Sequence, residues 1–158
     1  MSSTQVGSGA ATEPAQPATV PMRFEVTTLP VADVDRAKAF YQRLGWRLDI
    51  DFKPTRDTRG VQFTPPGSPA SIQFGEGTTT NTEPLQRLFL VVDDIGAARD
   101  ELASRGVDVS EVVHRTETGF EPGPDPEGRS YFSFASFKDP DGNEWLLQQI
   151  TERLPGRV

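Results

Sequence analysis

Two side chains of this sequence are suited to chemistry by their type and position. His114 is the only histidine among the 158 residues, and an imidazole beside a pocket can act as a general base near neutral pH. Arg87 supplies a permanent cation that suits a carboxylate, phosphate or phenolate. Both are candidate catalytic residues. The alternatives stay open: a solvated surface histidine, and an arginine paired with Glu144 or Asp49.

Composition limits the other kinds of chemistry. The chain has no cysteine, so thiolate catalysis and disulfide bonds are excluded. Its formal net charge is −7, which disfavours nucleic acids and anionic membranes as partners. No apolar run is long enough for a bilayer span, and the N-terminus lacks the features of a signal peptide. We therefore expect a cytoplasmic protein.

The elements that position these side chains occur twice. A helix is predicted from the N-cap Asp33 to the terminating Gly45, and a second from Asp94 to Gly106. Each helix follows a strand and precedes an alternating strand and two further strands, which gives the order βαβββ in each half. The predicted strands are residues 23–31, 46–52, 61–63, 70–74, 85–92 and 107–113, followed by the strand around 131–137 and the one that begins at 144.

One insertion distinguishes the two halves. The helix caps are offset by 61 residues, from residue 33 to residue 94, whereas the glycines at 67 and 142 are offset by 75. The additional residues must lie between Thr116 and Arg129, where a long functional loop is predicted. The predicted boundaries are a disordered tail at 1–21, one domain at 22–153 with modules 22–76 and 85–153, and a C-terminal tail at 154–158.

Two motifs carry a family resemblance. The stretch from Asp33 to Tyr41 with Leu44 and Gly45 following, and the later turn from Asp139 to Asn143 (DPDGN), together resemble the vicinal oxygen chelate superfamily. That superfamily includes glyoxalase I, extradiol dioxygenases, fosfomycin-inactivating enzymes and bleomycin-resistance proteins. The resemblance covers about residues 23 to 153. It implies an α+β fold in which two βαβββ modules form a curved mixed-sheet cup with helices outside, within one chain or across a homodimer.

The resemblance also identifies where a metal would be held. In the superfamily, His, Glu or Gln ligands lie seven residues before each helix cap and four residues after each turn glycine. Those positions here are Val26, Arg87, Ser71 and Leu146. Valine and leucine cannot ligate a metal, arginine repels one and a lone serine is a poor ligand. We therefore predict no metal and no other cofactor at this place.

The same cup positions predict a binding site. Gln73 and Gln148 occupy matched places in the two modules, and their amides can bond a ligand, each other or only water. We predict a protein that binds a small organic metabolite or drug. The open alternatives are a metal-independent isomerase, cyclase or lyase, and a metalloenzyme with displaced ligands. The predicted ligand-binding residues are Val26, Ser71, Gln73, Arg87, Phe89, Leu146 and Gln148.

Overall fold

The computed structural model describes residues 15–157, so most of the predicted tail at 1–21 lies outside the described residues. The first module contains one helix and four strands: β1 (Val26–Thr28), α1 (Val34–Arg43), β2 (Arg47–Thr55), β3 (Thr58–Thr64) and β4 (Ser71–Glu76). The second contains β5 (Leu88–Val92), α2 (Ile95–Ser104), β6 (Val113–Thr116), β7 (Gly119–Pro122), β8 (Ser133–Lys138) and β9 (Glu144–Gln149).

The helix ends lie where the sequence predicts them. The carboxylate of Asp33 accepts a hydrogen bond from the backbone N–H of Arg36, and Asp94 caps α2 in the same way. Gly45 and Gly106 follow the helices with φ of +81° and +82°, a conformation that favours glycine. Neither of the described helices is long and apolar enough to cross a bilayer.

The strands form two mixed sheets, and the α+β fold is confirmed. Sheet one has the order β1-β4-β3-β2, and sheet two has the order β5-β9-β8-β6-β7. In each sheet the first strand of the module pairs in parallel with the last, and the other pairs are antiparallel. The strands β1 and β5 are therefore edge strands, each with one side not paired within its own sheet.

The two sheets share one core around α1. The ring of Tyr41 lies 5.9 Å and 5.7 Å from those of Phe63 and Phe74 in sheet one, and 6.3 Å from Trp145 in sheet two. A single cluster of buried residues joins both modules. Because neighbouring side chains on a strand alternate between faces, the other face of each sheet points away from this core. We call these the open faces of sheet one and sheet two.

Trp46, Leu48, Ile50 and Phe52 alternate in the sequence as residues on one face of a strand do, but in the structure they do not share a face. The pairing of β2 with β3 shifts between Leu48, which pairs with Phe63, and Ile50, which pairs with Gln62. This bulge inserts one extra residue, so Ile50 and Phe52 change to the open face of sheet one. The strands predicted at 46–52 and 61–63 are both longer in the structure, since β2 continues to Thr55 and β3 begins at Thr58.

Much of the predicted long loop at 116–129 instead forms a strand and a hydrogen-bonded turn. Of the predicted strand at 107–113, residues 107–112 contribute only an isolated bridge between Val109 and Phe137, and β6 begins at Val113. The chain then forms a hairpin, β6–β7, whose strands pair from Val113–Pro122 to Thr116–Gly119. After the hairpin, the buried carboxylate of Asp125 accepts bonds from the backbone and guanidinium of Arg129. The second module thus carries one more strand than the first, with a tight turn after it.

Candidate functional site

A cleft of about 330 Å³ lies between the edge strands of the two sheets. Its walls come from β1, the start of β4, β5 and Trp145 of β9, so both modules contribute to it. Three of the sequence-predicted ligand residues line it: Ser71, Arg87 and Phe89. The complete lining is Phe24, Thr27, Pro65, Ser68, Ala70, Ser71, Ile72, Arg87, Leu88, Phe89, Leu90 and Trp145.

Arg87 is held in an uncommon backbone conformation at the entry to β5. Its φ is +59°, a region that costs a residue with a Cβ about 1 kcal/mol or more. The carboxylate of Glu144 accepts a hydrogen bond from the Arg87 backbone N–H at 3.1 Å. The guanidinium lies 5.6 Å from the ring centre of Phe89 and forms no ion pair with any carboxylate of residues 15–157. The predicted alternative, a salt bridge to Glu144 or Asp49, is therefore not formed among these residues.

Ser71 belongs to a chain of hydrogen bonds that we call the hydroxyl relay. The Ser71 Oγ lies 2.7 Å from the Thr64 Oγ1, and the Thr64 hydroxyl donates to the carboxylate of Asp49. Arg47 Nε donates to the other oxygen of Asp49 at 2.5 Å. The Thr64 hydrogen bond first, and the Arg47 bond second, hold the pKa of Asp49 below its usual value. Sequence reasoning named Asp49 only as a partner of Arg87 and missed Thr64, because the bulge in β2 and the strand register bring these two residues together.

The other predicted ligand residues lie on the open faces, outside the lining of the cleft. Gln73 donates to Thr28 Oγ1 at 2.8 Å, and Gln148 donates to the Tyr131 carbonyl at 3.2 Å. Each amide is thus bound within its own module, and the two do not contact each other in this chain. Val26 pairs with Ser71 in sheet one, and Leu146 pairs with Phe89 in sheet two.

His114 lies in the β6–β7 hairpin and does not line the cleft. Its Nδ1 is 2.8 Å from the carbonyl oxygen of Gly123. His114 therefore helps to hold the segment that follows the hairpin, through its bond to the Gly123 carbonyl. They offer no support for a general base in the cleft.

The DPDGN turn forms a buried link between the modules, which we call the module junction. The Tyr41 hydroxyl donates to Asp139 at 2.8 Å, and Trp145 Nε1 donates to that hydroxyl at 3.0 Å. The Asn143 side chain donates to Asp139 and to the Pro30 carbonyl, and accepts from the Leu85 N–H. Burial, and then the charge of Asp139, raise the pKa of Tyr41 well above its usual value, which keeps the hydroxyl protonated. The role of this motif in the structure is to hold the modules together.

Comparison with known proteins agrees with this architecture. The glyoxalase/bleomycin resistance protein/dioxygenase superfamily matches residues 23–147. The chain belongs to this superfamily. No functionally curated protein matches it significantly.

Solved structures of the superfamily resemble this chain over most of its length. TnmS3, an antibiotic binding protein from Streptomyces sp. CB03234, is 28% identical, with a TM-score of 0.62 over 85% of this chain and 100% of that one. A glyoxalase/bleomycin resistance protein from the same organism is 30% identical, with a TM-score of 0.58 over 80% and 100%. A superfamily member from Sphaerobacter thermophilus DSM 20745, at 24% identity and a TM-score of 0.61 over 82% and 98%, supports the fold alone.

The residues present do not fit the metal that many enzymes of this superfamily use. At the four ligand positions stand Val26, Ser71, Arg87 and Leu146, which offer one hydroxyl and one fixed cation. The Ser71 hydroxyl is already bonded to Thr64. Among residues 15–157, no group of three or more His, Asp or Glu side chains is arranged to hold a metal. The donor set therefore disagrees with a divalent transition metal at this place.

Proposed function

We propose that this protein binds a small organic anion in the cleft between β1 and β5. The observation that carries the proposal is Arg87, which lines the cleft and forms no ion pair among residues 15–157. The chain as a whole has a net charge of −7. A cation without a partner on such a protein attracts an anionic ligand locally, and a guanidinium bonds a carboxylate through two parallel hydrogen bonds.

The apolar lining indicates what else the ligand carries. Phe89, Ile72 and Trp145 line the cleft with Arg87, and aromatic and aliphatic walls suit the flat body of an organic molecule. A ligand that reaches Phe89 can stack on the ring while its acid group meets the guanidinium. TnmS3, described as an antibiotic binding protein, supports a binding role for this fold, and we extend that role to this chain.

We further propose a homodimer that encloses the site. Both open faces expose large apolar side chains: Ile50 at 48% and Phe52 at 61% on sheet one, and Phe89 at 46% and Phe120 at 61% on sheet two. Apolar residues at this density on a sheet face favour association with another sheet. Two chains that pair the open face of sheet one with that of sheet two would form two cups, each beside one cleft. Sedimentation velocity should then give a dimer, and Phe52→Glu should convert it to a monomer.

Titration with benzoate, a simple aromatic anion, tests the binding proposal. We expect benzoate to shift the backbone amide resonances of Ser71, Arg87 and Phe89 in ¹H–¹⁵N spectra. Arg87→Leu should weaken binding by about 1.5 to 3 kcal/mol, the range for a charge-assisted hydrogen bond.

Arg115→Leu is the matched control. Arg115 is also an exposed arginine over a phenylalanine ring, 6.0 Å from the centre of Phe120, but it does not line the cleft. We expect this variant to bind benzoate like the parent. Equal losses in both variants, or no shift at the cleft amides, would overturn the proposal.

A further inference from the structure

The hydroxyl relay fixes the direction of every proton in it. Asp49 is ionised at neutral pH, since its pKa lies below the usual value, and an ionised carboxylate only accepts hydrogen bonds. The Thr64 hydroxyl has one proton, and that proton is donated to Asp49. The Thr64 oxygen can then meet Ser71 only as an acceptor, so the Ser71 proton points to Thr64 at an Oγ–Oγ1 distance of 2.7 Å.

The relay is sheltered enough to hold this arrangement. Thr64 is 4% exposed and Ser71 is 8% exposed, so little water reaches either hydroxyl to offer another partner. Arg47 donates to the second oxygen of Asp49 and stabilises the charge at the end of the relay. The direction of the relay is therefore set by an ion pair, and the Ser71 oxygen meets the cleft with lone pairs only.

From this polarity we infer that Ser71 is an obligate hydrogen-bond acceptor in the cleft and selects organic anions that also carry a hydroxyl or N–H donor. The inference rests on the proposed function, because it assigns the second polar contact of the same ligand. Arg87 supplies only donors. The two polar ends of the lining thus have opposite requirements: an acceptor on the ligand at Arg87, and a donor at Ser71.

An acceptor at the serine end is penalised for the same reason. A ligand carbonyl or nitrile beside Ser71 would set lone pairs against lone pairs. Ser71 can turn its proton to that ligand only by breaking its own bond to Thr64, which would leave the two hydroxyl oxygens 2.7 Å apart with no proton between them. Neutral hydrogen bonds of this kind change affinity by about fivefold, which corresponds to about 1 kcal/mol. The site therefore discriminates between ligands of similar size and charge.

The test compares hydroxybenzoates with cyanobenzoates across the ring positions, with binding followed at the Arg87 and Phe89 amide resonances. In the parent we expect at least one hydroxybenzoate to bind about fivefold more tightly than the corresponding cyanobenzoate. Thr64→Val removes the acceptor of the Ser71 proton, so Ser71 becomes free to donate. Cyanobenzoate binding should then strengthen about fivefold, while hydroxybenzoate binding changes by about twofold at most. A variant that merely loosens the fold would not gain affinity.

A second measurement tests the relay without a ligand. Thr64→Val should raise the pKa of Asp49 in ¹³C NMR titrations, because the Thr64 hydrogen bond is the main cause of its lowering. Ser71→Ala should leave that pKa nearly unchanged and abolish the preference for hydroxybenzoates. An unchanged ratio of the two probes in Thr64→Val, or an unchanged Asp49 pKa, overturns the inference. If no benzoate shifts the cleft amides, the proposed function itself fails, and the inference with it.

Discussion

The module junction predicts a large and specific loss of stability in one variant. Asn143 is fully buried and its side chain joins three segments: the Pro30 carbonyl, the Leu85 N–H and the Asp139 carboxylate. Asn143→Ala removes all of these bonds at once and leaves the two backbone groups without partners. The perturbation is therefore a test of whether the turn holds the modules together.

The magnitude follows from the number of groups left unpaired. A buried polar group that loses its partner costs about 1 to 3 kcal/mol. Pro30 is buried, so its carbonyl bears the full cost, whereas Leu85 is only half-buried and water can reach its N–H. We expect Asn143→Ala to lower the free energy of unfolding by about 3 kcal/mol. Tyr41→Phe leaves mainly Trp145 Nε1 unpaired and should cost about half as much.

Urea denaturation followed by circular dichroism measures both changes. Asn81→Ala is the matched control, since Asn81 is an exposed asparagine whose side chain, among residues 15–157, bonds only to the nearby Glu83 backbone. The free energy of unfolding of this variant should lie within about 0.5 kcal/mol of that of the parent. A cost below about 1 kcal/mol for Asn143→Ala would refute the reasoning. A larger cost for Tyr41→Phe than for Asn143→Ala would refute it equally.

Two further predictions concern backbone strain and pH. Because the φ of Arg87 is +59°, the free energy of unfolding of Arg87→Gly, measured in urea, should exceed that of Arg87→Leu by about 1 kcal/mol. Equal free energies of unfolding for the two variants would contradict the strain. The Arg129 hydrogen bonds lower the pKa of Asp125 to about 2. Ionised Asp125 therefore stabilises the fold fully at pH values above the usual aspartate pKa, and this stabilisation is lost as pH falls through about 2. Arg129→Gln should raise this pKa towards about 4 in ¹³C NMR titrations; no change would assign the lowering to another cause.

The parts of the fold that depend on nearby residues were predictable. The caps at Asp33 and Asp94 and the stops at Gly45 and Gly106 are local, since each depends on bonds within one turn of helix. The β6–β7 hairpin was not predicted, because the Gly- and Pro-rich stretch around it lacks a clear alternation of apolar residues. The bulge near Asp49 was missed because an extra residue is visible only once the pairing register is known.

The candidate site was also predictable only in part. Ser71 and Arg87 were named from the ligand positions of the superfamily that the sequence resembles, and Phe89 as a lining residue of the same cup. The cleft brings these three together. The assignment of the remaining residues, like the domain boundaries, stays a prediction. The partners of Ser71 are 7 and 22 residues away in sequence, at Thr64 and Asp49. Only the strand pairing brings them together, so sequence spacing could not reveal the relay.

The module junction also constrains when the protein can finish folding during synthesis. The Tyr41 hydroxyl and its acceptor Asp139 are separated by 98 residues, so the first module leaves the ribosome long before its partners exist. Until the second module emerges, the aromatic face of α1 lacks its contacts with Phe137 and Trp145, and the Pro30 carbonyl has no amide of Asn143 to bind. We therefore expect the nascent first module to remain loosely packed and exposed to chaperones, and to become compact only near the end of translation.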